Sequence, residues 1–365
     1  MKKTLIATAF LALGAQAQLA HADLTVAIAG PMTGQYASAG DQIRRGAEMA
    51  ITDINAKGGV LGQKLKLEVG DDACDPKQAV SVANTMVNKK IVFMHGHWCS
   101  SSTIPASEVY VEADIPMATV STNPQVTERG LKNVFRIMGR DDQQGLVAGG
   151  YIADHFKGKK VAVLDDKSAY GKGLADEMAK AMTAKGLKPT LRESITAGEK
   201  DYSGIVTKLK QAGVEVLAYG GYHTEVALIL RQAQQAGLKL TVMGGDTMTN
   251  SELVTAAGAN ADNVMFTFSP DPRKNPDAAP VVKRFRDAKV EPEGYVMYAY
   301  AAFQLFAEAA TQAKSTKFAD LEKAMRGGTF KTVIGDLSFD AKGDQKKPGF
   351  VVYQWKGGQY DYAAK

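Results

Sequence analysis

The chain has 365 residues, of which 45% are hydrophobic and 23% charged, a formal net charge of +5, and two cysteines. That length favours two domains over one. Acidic and basic residues are interspersed, and no basic block with interleaved aromatics offers the footprint that nucleic acid requires.

The N-terminus carries Lys2 and Lys3, an apolar run over Leu5–Leu13, and the small-x-small triplet Ala20-His21-Ala22. This predicts a cleaved secretory signal over residues 1–22, and with it export to the periplasm. The apolar run is too short to span a bilayer, which takes about 20 residues. From Asp23 onward strands and helices alternate. Leu24–Gly30 is an apolar run ending in glycine, followed by the small-residue loop Pro31–Gly40. A helix is predicted to open at Asp41, with Ile43, Ala47, Ala50, Ile51 and Ile54 on one stripe, and Gly58-Gly59 stops it. Leu65, Leu67 and Val69 alternate as a strand. Asp75 caps a helix that begins with Pro76. Ile91–His95 is the next strand, a helix covers Thr103–Ala113, and Ile115–Val120 is again a strand.

The second half repeats this order. Val161–Asp165 is a strand followed by a helix to Gly186. A helix near Tyr202–Ala212 leads to the strand Val214–Tyr219, and Glu225–Ala236 is a helix with Val226, Ile229, Leu230 and Ala233 inward. Val242–Gly244 and Val264–Phe268 are further strands, Tyr295–Thr311 and Leu321–Met325 are helical, and Phe350–Trp355 is a late strand. Such alternation predicts an α/β fold with parallel sheets covered by helices, and the length allows two.

In open parallel sheets, ligands bind beyond the carboxyl ends of the strands. That rule selects Pro31–Gly40, His97–Ser102, Ser121–Pro124, Lys167–Tyr170, Gly220–His223 and Gly245–Thr249, loops rich in small, hydroxylic and aromatic residues. Ser100-Ser101-Ser102-Thr103 follows a strand and opens a helix, where free N–H groups and hydroxyls suit a carboxylate. One of these serines is expected to serve as the helix cap. No phosphate loop, nucleophile elbow or dinucleotide fingerprint occurs. His95 and His97 could give two metal ligands, but a zinc site needs three or four, so no metal, cofactor or catalytic residue is assigned. Asp71-Asp72 reads as a solvated strand end. Cys74 and Cys99 form either a disulfide, which export favours, or two separate thiols.

Taken together, Asp72-Ala-Cys-Asp-Pro-Lys-Gln-Ala79, Cys99-Ser-Ser-Ser-Thr103, Pro105-Ala-Ser107, Thr196-Ala-Gly-Glu-Lys-Asp201 and Tyr219-Gly-Gly-Tyr-His223 resemble the Leu/Ile/Val-binding proteins, type I periplasmic binding proteins of ABC importers. The similarity runs in order through the chain after the signal. It implies two Rossmann-like lobes joined by three hinge segments, the first from 23–139 and 270–345, the second from 140–269 and 346–365. It also implies a Cys74–Cys99 disulfide. By position, Ser100 and Thr122 would hold a ligand α-carboxylate, with Ser121 beside them. The Val120 backbone and the Asp246 carboxylate would take the ammonium, and Tyr170, Tyr222 and Tyr295 would close over the ligand.

Three positions depart from the family pattern. Ala39 replaces a frequent large aromatic, Trp98 a smaller aliphatic, and Asp246 the usual Glu. The expected ligand is therefore a branched-chain or other small aliphatic amino acid, with a γ-amino acid such as GABA also fitting the changes. Monomeric delivery to a membrane permease is expected. Two other readings stand beside this one: a ligand-sensing subunit of the same fold for amides or amino acids, and an exported metal-dependent hydrolase using His95 or His97.

Overall fold

Leu24–Gly30 is buried along nearly its whole length, as a strand covered by helices on both faces must be. It forms β1 of a computed structural model that describes residues 22–363, so the expected signal lies, apart from Ala22, outside the described residues. After β1 come α1 (Ala37–Ala56), β2 (Leu65–Asp71), α2 (Pro76–Asn88), β3 (Phe93–His95), α3 (Ser100–Glu112), β4 (Met117–Thr119), α4 (Gln125–Glu128) and β5 (Val134–Arg136). These strands make an all-parallel sheet in the order β2-β1-β3-β4-β5.

The chain then crosses to a second sheet. It runs through α5 (Asp141–His155), β6 (Val161–Asp165), α6 (Ala169–Ala184), β7 (Leu191–Ser194), α7 (Ser203–Gln211), β8 (Val216–Gly220), α8 (His223–Gln235), β9 (Thr241–Gly244), α9 (Glu252–Ala257) and β10 (Val264–Phe268). It returns to the first layer as α10 (Ala279–Asp287), α11 (Val296–Ala313), α12 (Phe318–Gly327) and the small hairpin β11 (Phe330–Thr332) and β12 (Gly335–Leu337). α11 is buried around most of its circumference and packs on α1 and β3. A third crossing leads to β13 (Val351–Lys356) and β14 (Gln359–Tyr362), which join the second sheet antiparallel, in the order β14-β13-β10-β9-β8-β6-β7. This is the two-lobed α/β architecture that the sequence implies, with three crossings.

Several boundaries differ from expectation. α1 begins at Ala37 rather than Asp41, because the small residues read as loop continue the helix. α3 begins at Ser100, and no serine caps it: Cys99 stands at the N-cap without a side-chain cap bond. α5 escaped the periodicity because Gly145, Gly149 and Gly150 interrupt it, and glycine is a poor helix former. In the fold, two of these glycines permit close helix packing. A Cβ on Gly149 would lie 2.4 Å from the Met178 carbonyl of α6, and one on Gly145 would lie 2.5 Å from Glu177 Cβ. β5, β7 and β14 were also missed; β7 and β14 are edge strands, half in solvent.

Candidate functional site

In both sheets the strand order reverses beside the earliest strand: between β1 and β3 in the first, between β6 and β8 in the second. Ligands settle outside the carboxyl ends at such switch points. The loops that follow these four strands, with the first turn of α6, carry Tyr36, Trp98, Tyr170 and Tyr222, and their rings meet. Tyr36 lies 4.4 Å from Tyr222, Trp98 lies 5.2 Å from Tyr222, and Tyr170 lies 5.3 Å from Tyr222, centroid to centroid. Tyr295, at the start of α11, meets Trp98 edge-on at 5.5 Å.

Trp98 is held by a buried polar scaffold. The preceding residue, His97, directs Nδ1 to Asp72 at 2.5 Å and Nε2 to the Tyr110 hydroxyl at 3.2 Å. The hydroxyls of Thr103, Thr119 and Ser121 cluster within hydrogen-bond distance of the His97 carbonyl, and those of Thr103 and Ser121 also bond each other at 2.6 Å. Asp72 also accepts from the Cys74 N–H, and Cys74 is bridged to Cys99 on the far side of Trp98. Closing a loop of 25 residues stabilises by about 3 kcal/mol on the chain-entropy account. The expectation of a solvated Asp71-Asp72 end is thus corrected for Asp72, which is fully buried because it anchors this histidine. Asp71 is half-buried and accepts from Met32 and Thr33. His95 binds the Ala118 carbonyl through Nδ1, and burial pushes its pKa down to about 4. Among the described residues, no group of three or more His, Cys, Asp or Glu converges as a metal site.

The neighbouring loop, Val120–Asn123, is clamped by Arg136. This fully buried guanidinium donates to the carbonyls of Ser121 and Asn123, at 2.7 and 2.9 Å, and to Asp344 at 2.7 Å. Arg140 reaches the same Asp344, so β5 and two of the crossings are tied at one carboxylate. Ser100 Oγ accepts from the Asn123 N–H at 3.3 Å, bringing Ser100 beside Thr122. The Ser121 hydroxyl is spent on the Trp98 loop, where it lies 3.0 Å from the His97 and Trp98 carbonyls and 2.6 Å from the Thr103 hydroxyl.

From the other lobe comes Asp246. Its Oδ1 accepts from the Tyr170 hydroxyl at 3.0 Å and from Gln144 Nε2 at 3.1 Å, and its Oδ2 accepts from the Tyr295 hydroxyl. Burial raises its pKa, and these three donors pull it back. Gly245 makes the arrangement possible, since a Cβ there would lie 2.3 Å from the Tyr170 hydroxyl and 2.5 Å from Leu174 Cδ2.

Ala39, Trp98, Ser100, Val120, Ser121, Thr122, Tyr170, Tyr222, Asp246 and Tyr295 are all buried. Contacts between the lobes close over them. Tyr36 and Gln35 donate to Glu225 at 3.1 Å each, Asn123 donates to the Ala169 carbonyl at 2.6 Å, and Ser38 donates to Glu252, which His223 holds from its own lobe. Sequence reasoning missed Tyr36, Gln144, Glu225 and Arg136. Tyr36 sat in a loop already singled out, and an aromatic among small residues was the signal for it. Gln144 and Arg136 fell in segments that were not read, and Glu225 was read only as the opening of a helix.

Two sheets with parallel cores meeting switch point to switch point, around a buried cleft of aromatic rings, hydroxyls and carboxylate, define a two-lobed solute-binding protein. Residues 23–359 match the family model described as periplasmic binding protein. The chain is 50% identical over 368 residues to the Leu/Ile/Val-binding protein homolog 1 of Brucella suis, covering 99% of each. It is 43% identical to a leucine-, isoleucine-, valine-, threonine- and alanine-binding protein of Pseudomonas aeruginosa, over 91% of this chain and 90% of that one. Among solved structures, a leucine-binding protein of Thermotoga maritima superposes with a TM-score of 0.86 at 26% identity, covering 93% of this chain and 98% of that one. This chain belongs to the Leu/Ile/Val-binding protein family of periplasmic binding proteins, a family of substrate binders rather than enzymes.

Proposed function

We propose that the protein captures a small amino acid in the periplasm by closing its lobes over it, and delivers it as a monomer to an ABC importer permease. The lobes are taken as 23–139 with 270–345, and 140–269 with 346–365, which agrees with the membership of the two sheets. The carrying observation is the polarity of the cleft. Asp246, a buried carboxylate, comes from one lobe, and the buried residues Ser100 and Thr122 come from the other. That is the complement of a zwitterion.

Relatives support the ligand class. The Pseudomonas relative is named for five aliphatic or hydroxylic amino acids, and a Streptococcus pneumoniae relative at 25% identity and a TM-score of 0.84 was solved with isoleucine. The aromatic crowding of Tyr36, Trp98 and Tyr222 favours a small aliphatic side chain, and the shorter Asp246 leaves room for an ammonium set further from the carboxylate, as in GABA. Calorimetry against leucine, isoleucine, valine, threonine, alanine and GABA tests the reading, with Trp98 as an intrinsic fluorescence reporter. At least one saturable one-to-one isotherm is expected. Silence across the panel overturns it, and tight leucine binding without GABA binding removes the γ-amino acid option.

A further inference from the structure

Glu225 stands where the lobes meet, in the first turn of α8, and is buried. Its Oε1 accepts from the Gly198 N–H of its own lobe at 3.0 Å. The same oxygen accepts from the Tyr36 hydroxyl and from Gln35 Nε2 of the first lobe, at 3.1 Å each. Its Oε2 accepts from the Thr224 hydroxyl at 2.7 Å. A buried carboxylate needs donors, and half of those that satisfy this one come from across the cleft.

Tyr36 is the partner with a second role. It is the N-cap residue of α1, and its buried ring lies 4.4 Å from Tyr222 and 6.2 Å from Trp98. Burial, and after it the charge of Glu225, raises the Tyr36 pKa, so the hydroxyl keeps its proton and donates it. Ala39 stands in the same turn, its N–H bonded to the Tyr36 carbonyl at 2.9 Å, and presents only a methyl group. The wall on this side of the cleft is therefore the Tyr36 ring. Its body belongs to the first lobe, and its hydroxyl is pinned by the second. Opening the lobes parts Tyr36 and Gln35 from Glu225, while Gly198 and Thr224 stay with it.

We infer that Glu225 is a positioning residue: on closure it pins Tyr36 from the opposite lobe and so completes the ring wall that limits ligand size. The inference rests on the amino-acid reading above and deepens it. Glu225 acts through Tyr36 and not on the ligand. Size is then judged at the closing step, when Tyr36 is fixed against Tyr222, and not at first encounter with the open form. A bulky side chain that presses on Tyr36 works against the Glu225 bond, and a small one leaves it intact. The bond exists only in the closed form, so losing it speeds dissociation and leaves association nearly unchanged. A hydrogen bond to a charged partner corresponds to about tenfold or more in that equilibrium.

The test is stopped-flow Trp98 fluorescence and calorimetry with alanine, valine and leucine, on wild type, Tyr36→Phe, Glu225→Gln and the double variant. Each single variant is expected to raise the alanine dissociation rate about tenfold and to hold the association rate within about twofold. The affinity ratio of alanine to leucine is expected to fall severalfold, because a released ring yields to the larger side chain. The double variant is expected to lose no more than the worse single one, since both remove the same bond. If Glu225→Gln gives no cooperative melt, Tyr36→Phe carries the test through the rate and the ratio. An unchanged dissociation rate, an unchanged alanine-to-leucine ratio, or fully additive losses in the double variant overturn the inference. Failure of the wild type to bind any of the three amino acids overturns the functional reading instead, so the two failures are distinct.

Discussion

Asp246 is expected to bind ligand at the expense of the ligand-free fold, and Asp246→Asn separates the two roles. The carboxylate is fully buried and burial raises its pKa, so its ionised form costs the folded state free energy that only partners recover. A raised folded pKa means that this group's stability contribution is present at low pH and lost as pH rises past that pKa. At neutral pH and without ligand, Asn removes that cost while keeping an acceptor for Tyr170 or Tyr295. The melting temperature of the ligand-free protein should therefore hold or rise. Ligand affinity should fall, because a hydrogen bond to a charged partner contributes about 1.5–3 kcal/mol, equivalent to about 10- to 150-fold in Kd. Asp246→Ala should cost more, about 3–5 kcal/mol, since it strands the ammonium and three buried donors. Asp246→Glu keeps the charge and should cost about 1–3 kcal/mol, through one extra methylene in a filled site. Calorimetry gives the Kd values and circular dichroism the melts. The reasoning fails if Ala and Glu both leave Kd unchanged, or if Asn lowers stability and affinity together.

Gly245→Ala should push Tyr170 off Asp246, because the new Cβ would sit 2.3 Å from the tyrosine hydroxyl. Overpacking of this kind costs about 1–3 kcal/mol, and an unchanged Kd would contradict the close approach. Asp166 offers a pH signature. Its pKa is pushed up to about 6 from 3.8, chiefly by burial and also by Glu225 and Asp165, against the bonds from Ser168. Its folded form holds the extra proton, so stability should be fully present below 3.8 and decline as pH rises through about 6. The swing is about 3 kcal/mol at most. Asp166→Asn should flatten the melting profile across that window, and a slope identical to wild type would refute the assignment.

The parts of the fold legible in the sequence were those with strong periodicity. Buried strands such as Val161–Asp165, and helices with a clear apolar stripe such as α8, were placed within a few residues. α5 was not, because its glycines serve packing against α6 and look like breaks. The site divides in the same way. The loops were found by the switch-point rule, and the individual residues came from resemblance. Gln144 escaped because nothing local marks it, and Tyr36 because its ring, alone among small residues, was passed over in a loop already chosen. Their importance arises only where the two lobes meet, at separations such as the 189 residues between Tyr36 and Glu225. Asp72 was misread because a carboxylate at a strand end is ordinarily solvated, and only the third dimension shows the His97 beneath it.

The cleft also couples closure to ligand charge. Tyr295, at the head of a helix packed on the first lobe, donates to Asp246 of the second, so the carboxylate proposed to accept from the ligand is itself a contact between lobes. Closing the lobes therefore buries Asp246, together with Asp141 and Asp166, in a space where tyrosines and amides are the partners and no lysine or arginine hydrogen-bonds Asp246 among the described residues. Burial disfavours the charge on all three, and Asp246 also repels Asp141, so the ionised carboxylates oppose a closed cleft. An ammonium relieves both costs at once, and an uncharged solute of the same shape relieves neither. Selection on these terms acts on the equilibrium between open and closed forms, since a ligand shifts that equilibrium only by its differential affinity for the two. The aromatic box of Tyr36, Trp98 and Tyr222 then limits what the cation may carry. On the proposed reading, charge decides whether the lobes close, and ring packing decides around how much.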